Sequence, residues 1–217
     1  MKFCSTPLYG VFITEQEIAR DQRGGFARFF CAREYGERGL DTRIAQCSVS
    51  YNSKRGTLRG LHYQADPNPE TKTVRCLTGA AYDVVADLRL DSPTRSKWFA
   101  VELRAGNGTA VYIPRGCAHG FITLEDDTSL EYLISDFYIP ESARGIRYDD
   151  PTLGIRWPMA PEVISERDLG LPMISESAGA YAQGFHDGRV WFCGPPIGLA
   201  GLAERLGRDR VGAAWRS

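Results

Sequence analysis

The chain of 217 residues is poor in histidine, in paired cysteines and in long apolar runs, and each shortage argues against a class of protein. It has three histidines, too few for the clustered ligands of a metal-dependent oxygenase, at positions His62, His119 and His186. Its six cysteines form no CxxC pair, which argues against zinc ribbons and redox motifs, so we expect reduced and mostly buried thiols. No segment is apolar over the length that a bilayer requires.

An excess of charge of either sign is missing as well. Lys and Arg number 26 against 27 for Asp and Glu, so no field-driven attachment to nucleic acid or to an anionic membrane is expected. The first residues lack the apolar core of a signal peptide, and the unpaired cysteines suit a reducing compartment. We therefore predict a cytoplasmic protein with no nucleic-acid or membrane partner.

Helical periodicity is also scarce, and what remains is a series of short strands. We predict short helices at 33–35 and 199–206, and a hairpin in which 72–77 and 80–88 pair across a Thr-Gly turn. Many short strands with turn signals between them are typical of an all-β sandwich or barrel. The predicted strands are 10–13, 26–31, 44–51, 54–64, 72–77, 80–88, 98–103, 110–113, 120–124 and 129–135.

The composition divides the chain near its end. Beyond Pro140 the sequence becomes irregular, and after Pro172 it shifts to Gly, Ala and Ser. We predict one domain over residues 1–172, followed by an irregular C-terminal extension over 173–217.

The stretch 54–64 contains an arginine, a histidine and a tyrosine within five residues. In a regular strand His62 would lie on the face opposite Arg59, but Gly60 is a candidate β-bulge that would re-aim one of the two. We interpret the pattern as a histidine inside a cavity with a guanidinium at its mouth. The alternative is a satisfied core histidine and a surface arginine.

Further polar residues interrupt the predicted strands. Lys72 shares a face with two apolar residues, and Asp83 and Asp87 share a face with a valine. Buried lysines and aspartates are rare unless they are paired or functional, the alternative being an edge strand in water. His119 is predicted in a turn at 113–121, and Tyr132 lies in an apolar strand, where a plain core tyrosine is the alternative.

The arrangement of these residues resembles the nucleotide-sugar epimerase family typified by dTDP-4-dehydrorhamnose 3,5-epimerase, a branch of the cupins. The matching motifs run in family order from the start of the chain to about Pro172. They are DxRGxF at 21–26, GxLRGLHYQ at 56–64, KxVR at 72–75, DVxxDxR at 83–89, SPT at 92–94, IPxGxAHGF at 113–121, RGIR at 144–147, DDP at 149–151 and SExD at 165–168.

This resemblance implies a cupin-type jelly-roll barrel with short peripheral helices, and a homodimer in which strands are shared. It implies neither a metal nor an organic cofactor. The implied reaction is epimerisation, at C3 and C5, of a 4-keto-6-deoxyhexose linked to a nucleoside diphosphate.

The resemblance also implies roles for individual residues at the positions that match the family motifs. The resemblance implies that His62 is the catalytic base, Asp168 its partner, Lys72 a cation near the keto oxygen and Tyr132 the acid. It assigns Arg23 and Arg59 to the diphosphate, Phe26 and Gln46 to the nucleotide, and His119 and Tyr138 to the sugar pocket.

The chemistry explains these residue types. A hydrogen beside a ketone is acidic only if the enolate is stabilised, which a lysine can do electrostatically. A histidine suits the base, and a carboxylate on its far nitrogen sets the tautomer, the logic of the serine-protease triad.

Four positions depart from the family pattern. Arg28 occupies a position where many members of the family carry a glutamate, and Ser48 one where many carry an asparagine. Cys117 replaces an aromatic residue, and Ala143 replaces an acidic residue. The nucleotide and the sugar therefore stay open. The alternatives are a C3-only epimerase, a 3,4-ketoisomerase, a metal-dependent cupin oxygenase and a sugar-nucleotide binding module without catalysis.

Overall fold

A computed structural model describes residues 1–174, and within that range the regular structure consists of thirteen strands and two short helices. The helices are α1 (Ala32–Gly36) and α2 (Glu166–Leu169). The strands are β1 (Lys2–Ser5), β2 (Phe12–Glu15), β3 (Ala19–Asp21), β4 (Gly24–Phe26), β5 (Gln46–Asn52), β6 (Leu58–Gln64), β7 (Lys72–Thr78), β8 (Ala80–Asp87), β9 (Trp98–Arg104), β10 (Thr109–Ile113), β11 (Cys117–Thr123), β12 (Thr128–Ile134) and β13 (Ala143–Gly145).

Eleven of these strands form two antiparallel sheets. One sheet has the order β1-β2-β10-β7-β12-β5, and the other has the order β13-β6-β11-β8-β9. The remaining strands, β3 and β4, pair only with each other as a two-stranded ribbon. The fold is a cupin-like jelly roll, which confirms the predicted class.

Alternate residues of the strands fill the space between the two sheets. In β8, Ala81 and Val85 pack there against residues of the six-stranded sheet such as Val74 and Val111. Asp83 and Asp87 share this inward face and are 0% exposed. Because β8 lies between β11 and β9, the edge-strand alternative for these two aspartates is wrong.

The irregular chain after β13 covers the outer face of the five-stranded sheet. Leu58 and Leu61 of β6 belong to a second apolar cluster, against which Trp157 packs from this irregular segment. Val163 then forms a parallel bridge to Thr57, and the carbonyl of Val163 accepts a hydrogen bond from the Leu58 amide at 2.8 Å. The segment thereby returns to the start of β6 just before α2.

Three local predictions are wrong. The strands β7 and β8 do not form a hairpin, because they belong to different sheets and the Thr78–Gly79 connection crosses between them. The predicted strand at 26–31 ends at Phe26, and His119 lies within β11 rather than in a turn. The predicted helix at 33–35 is confirmed as α1.

The cysteines follow the expectation only in part. Cys31, Cys47, Cys76 and Cys117 are free thiols, and the last two are buried. Cys4 is bonded in a disulfide, which contradicts the expectation for that residue. Burial raises the pKa of Cys76 to about 11 and that of Cys117 to about 12, so both stay protonated at neutral pH.

Two other predictions concern the ends of the fold and the membrane. The predicted extension 173–217, which includes the predicted helix at 199–206, lies outside the described residues except for Met173 and Ile174. In the described part of the chain, no helix has the length and apolar character needed to cross a bilayer.

Candidate active site

A β-bulge in β6 turns two functional side chains to the same side. His62 lies opposite His119 of β11 and Arg59 lies opposite Phe121, so two residues of β6 face the single residue Gly120. The predicted bulge is therefore confirmed, and both Arg59 and His62 line one cavity. Gly60 has φ +116°, and a Cβ atom there would lie 2.6 Å from the Cα of Gly120, so only glycine fits.

The cavity, of about 300 Å³, lies between the two sheets. Seven of the ten predicted site residues line it: Gln46, Arg59, His62, Lys72, His119, Tyr132 and Tyr138. Asp168 lies behind His62, and the remaining two, Arg23 and Phe26, are described below. Lining residues to which the sequence assigned no role are Ser50, Tyr63, Gln64, Glu70, Phe121, Ile134, Ala143, Arg144 and Arg167.

His62 and Asp168 form a hydrogen-bonded pair that joins two distant parts of the chain. The Nε2 atom of His62 lies 2.7 Å from Oδ1 of Asp168, and the amide of Gly60 donates to Oδ2 at 3.0 Å. Asp168 sits in α2, where its amide donates to the capping Ser165 Oγ at 3.1 Å.

The electrostatics of this pair fix the histidine tautomer. Burial favours the neutral acid, but hydrogen bonds from His62 and Gly60 outweigh it and hold the pKa of Asp168 below its ordinary value. Asp168 is therefore a carboxylate, and Nε2 of His62 carries the proton that it accepts. The lone pair of His62 is consequently on Nδ1, which is the atom able to accept a proton.

A second histidine–aspartate pair lies beside the first. Nε2 of His119 is hydrogen-bonded to Oδ2 of Asp83 at 2.8 Å, and His119 is the cross-strand neighbour of His62. Oδ1 of Asp83 is buried with no hydrogen-bond partner among the described residues. Burial raises the pKa of Asp83 although His119 opposes the shift.

Lys72 opens β7 at the wall of the cavity. Its Nζ atom lies 3.0 Å from Oε1 of Glu70 and donates to the carbonyl of His62 at 3.4 Å. The two side chains are only 12% and 9% exposed, so the ammonium is held in place and sheltered from bulk water. Glu70 has no assigned role in the family motifs, and the only feature of the sequence that points to it is its position two residues before Lys72.

Tyr132 reaches the cavity from β12. Its ring meets that of His119 edge-on, with centroids 5.8 Å apart and an interplanar angle of 74°. Burial, reinforced by the charge of Asp83, raises the pKa of the phenol far above its ordinary value. The hydroxyl therefore stays protonated at neutral pH, and because the raised pKa makes it a weak acid, it can give its proton only to a strong base such as an enolate carbon.

Guanidinium groups surround the rest of the cavity. Arg59 donates from Nε to Oδ1 of Asn52 at 2.8 Å, while Arg144 and Arg167 add two further cations. Sequence reasoning assigned these last two no role, although Arg167 directly precedes Asp168 and Arg144 pairs with Tyr63 across β13 and β6. Such a concentration of forked donors suits a phosphorylated ligand.

Arg23 and Phe26 lie outside the cavity of their own chain. Both belong to the β3–β4 ribbon and its turn, where Arg23 forms an ion pair with Asp21 at 2.5 Å. Phe26 is 82% exposed. The structure does not bring these two predicted residues together with the other eight.

A metal-dependent oxygenase would need several His and carboxylate side chains clustered around one metal ion. Within residues 1–174 there is no group of three His, Cys, Asp or Glu side chains placed to hold a metal ion. The two cavity histidines each use Nε2 to bond a carboxylate.

A sequence model of the family described as dTDP-4-dehydrorhamnose 3,5-epimerase matches residues 5–176. A dTDP-4-dehydrorhamnose 3,5-epimerase from Sinorhizobium fredii is 41% identical over 177 residues, which are 81% of this chain and 91% of the relative. The chain belongs to the dTDP-4-dehydrorhamnose 3,5-epimerase family. It is thus an enzyme of the isomerase class, a racemase or epimerase.

Other members of this epimerase family are similar over almost their whole length. The crystal structure of dTDP-6-deoxy-D-glucose-3,5-epimerase from Legionella pneumophila, in complex with dTDP-4-keto-L-rhamnose, is 36% identical with a TM-score of 0.75. The match covers 84% of this chain and 99% of that one. A dTDP-4-dehydro-6-deoxyglucose 3-epimerase from a Streptomyces species is 38% identical, over 76% of this chain and 85% of its own.

Proposed function

We propose that the enzyme inverts C3 and C5 of a dTDP-linked 4-keto-6-deoxyhexose. The observation that carries this proposal is the His62–Asp168 pair, with a 2.7 Å hydrogen bond, in one cavity with Lys72 and Tyr132. The base, the cation for an enolate and a protonated phenol are the three groups that inversion beside a ketone requires.

In the proposed reaction, Nδ1 of His62 takes the proton from the carbon next to the C4 ketone. The C–H electron pair moves to form the enolate, whose oxygen is neutralised by the Lys72 ammonium. Asp168 stabilises the imidazolium that forms. Tyr132 then donates its hydroxyl proton to the opposite face of the same carbon, which inverts the centre and restores the ketone.

The diphosphate is proposed to lie at the mouth of the cavity. Arg59, Arg144 and Arg167 supply forked donors there, and planar guanidinium groups match phosphate oxygens better than ammonium groups do. Gln46 and Tyr138, already joined by a hydrogen bond of 2.7 Å from the Tyr138 amide to Oε1 of Gln46, are proposed to contact the nucleotide and the sugar.

We further propose that the working unit is a homodimer in which Arg23 and Phe26 complete the cavity of the partner. An isolated two-stranded ribbon is marginal in water, and its 82% exposed phenylalanine favours burial against a second copy. A cytoplasmic location is proposed on the sequence grounds given above.

The experiment that tests this function supplies a panel of dTDP-, CDP- and GDP-linked 4-keto-6-deoxy sugars in deuterated water. We expect turnover of the dTDP-linked sugar, with deuterium at C3 and C5 and inversion at both centres by NMR. No exchange with any member of the panel would contradict the proposal.

A C3-only epimerase is the second candidate, because the Streptomyces relative named above is a 3-epimerase at 38% identity. The same NMR experiment separates the two. A C3-only enzyme would accumulate a product that is inverted at C3 and keeps hydrogen at C5.

A further inference from the structure

Asn52, at the end of β5, contacts the arginine at the cavity mouth without lining the cavity itself. It is a buried polar residue, 4% exposed, and its Oδ1 accepts the Nε–H of Arg59 at 2.8 Å. A buried amide in an apolar barrel is destabilising unless all its groups are bonded, so its partners reveal its role.

The orientation of the Asn52 amide is fixed by its other bonds. Nδ2 donates to the carbonyl of Thr128 at 3.0 Å and to that of Ser50 at 3.2 Å. Both partners can only accept, so a reversed amide would put oxygen against oxygen there and nitrogen against the Nε of Arg59. The acceptor Oδ1 must therefore face Arg59.

This contact sets the direction of the Arg59 guanidinium. Nε is bonded to Asn52 and Nη2 donates to the carbonyl of Tyr51 at 3.4 Å, which uses two of the five N–H groups. The other three have no partner among residues 1–174, and Arg59 lines the cavity. The Arg59 guanidinium is thus held by β5 on one side, and its three remaining N–H groups are left for a ligand in the cavity.

We propose that Asn52 is a positioning residue, which holds Arg59 in the orientation that binds the diphosphate of the substrate. The proposal rests on the proposed function, since it takes a nucleoside diphosphate as the ligand of Arg59. Arg59 is a long, exposed side chain that loses conformational entropy when it binds a ligand, and a guanidinium already held by Asn52 has lost part of that entropy beforehand.

The test is calorimetric titration of the full chain with dTDP, comparing wild type with Asn52→Ala, Thr128→Val, Arg59→Ala and Asn52→Ala/Arg59→Ala. We expect Asn52→Ala to weaken dTDP binding about tenfold, the scale of one hydrogen bond to a charged group. Combined with Arg59→Ala it should add less than about twofold, because the two residues act as one unit.

Thr128→Val is the matched control for a purely structural role. Thr128 is 0% exposed, and its hydroxyl donates to the carbonyl of Glu125 at 2.8 Å without contacting Arg59. The thermal stability of Thr128→Val should therefore fall about as far as that of Asn52→Ala, while its dTDP affinity stays within about threefold of wild type. With the dTDP-linked substrate, Asn52→Ala should raise KM and leave kcat within about twofold.

Two results overturn the positioning role alone. One is an equal loss of dTDP affinity in Asn52→Ala and Thr128→Val, and the other is a full tenfold effect of Asn52→Ala in the Arg59→Ala background. A wild-type protein that binds no nucleoside diphosphate would instead overturn the proposed function, and the positioning role with it.

Discussion

Tyr132 is the residue on which the number of inverted centres depends in the proposed reaction. Tyr132→Phe removes only a hydroxyl, so the barrel should stay folded. Because each inverted centre needs a proton from the face opposite His62, we expect some exchange at C3, where water can substitute, and loss of most inversion at C5. NMR of the product in deuterated water measures both centres, and wild-type rates at both would make Tyr132 a plain core tyrosine.

Asp168 provides a prediction about how the stability of the fold depends on pH. Its pKa is held below the ordinary value of 3.8, so its charged form stabilises the fold at higher pH and loses that contribution as pH falls through the lowered pKa. Asp168→Asn removes the charge at every pH. The difference in free energy of unfolding between wild type and this variant should therefore shrink below about pH 4.

Urea denaturation of both proteins across the acidic range measures that difference. A difference that stays constant or grows between about pH 4 and pH 2 would show that the Asp168 carboxylate is not stabilised as its hydrogen bonds indicate.

At the scale of elements, the bulge in β6 is the device that places Arg59 and His62 on one face. Gly60→Ala puts a Cβ atom 2.6 Å from the Gly120 Cα and strains a φ of +116°. Gly106→Ala is the control, because its φ of +75° is also positive and nothing lies within 4 Å of the added atom.

We expect Gly106→Ala to cost about 1–2 kcal/mol of stability from backbone strain alone. Gly60→Ala should cost at least about 2 kcal/mol more, since backbone atoms must move apart. Thermal unfolding of both variants tests this, and equal losses would contradict the close approach of β6 to β11.

The strands and the β6 bulge show how much of this structure the sequence predicts. Turn signals between short segments made the central strands predictable, and Gly60 indicated the bulge. The β7–β8 pairing failed because adjacency in the chain favours a hairpin, whereas a jelly roll pairs β7 with β10 and β12. Long-range pairing depends on the whole core and leaves no local signal.

In the candidate site, too, residues within strands are predictable from the sequence, and residues brought together only by tertiary structure are not. His62 and Lys72 stand out as polar residues within strands, but Asp168 lies 106 residues from His62 in a four-residue helix, and only the family resemblance linked the two. Glu70 reaches the cavity from the segment before β7, Arg144 from β13 and Arg167 from α2. Their roles depend on tertiary positions that no spacing in the sequence reveals.

At the scale of the whole molecule, the proposed dimer makes a prediction about shared sites. If Arg23 and Phe26 act in the partner's cavity, Arg23→Ala and His62→Ala damage different halves of each site. A mixture of the two inactive proteins, allowed to exchange subunits, should regain part of the wild-type activity because mixed dimers contain one intact site.

Complementation is measured with the dTDP-linked substrate, and the mixture of His62→Ala with Lys72→Ala is the control, since both residues belong to the same chain's cavity. We expect no recovery in that control. Sedimentation of a monomer at micromolar concentration, or no recovery with Arg23→Ala, would contradict the shared site.

The central claim is that His62 removes the substrate proton, and deuterium exchange in the His62→Ala protein tests it most directly. The dTDP-linked 4-keto sugar is incubated in deuterated water with wild type, His62→Ala or Asp168→Asn, and NMR follows C3 and C5. We expect no deuterium at either carbon with His62→Ala, slowed exchange with Asp168→Asn, and dTDP affinity close to wild type in both. Exchange by His62→Ala at a near-normal rate would contradict the account.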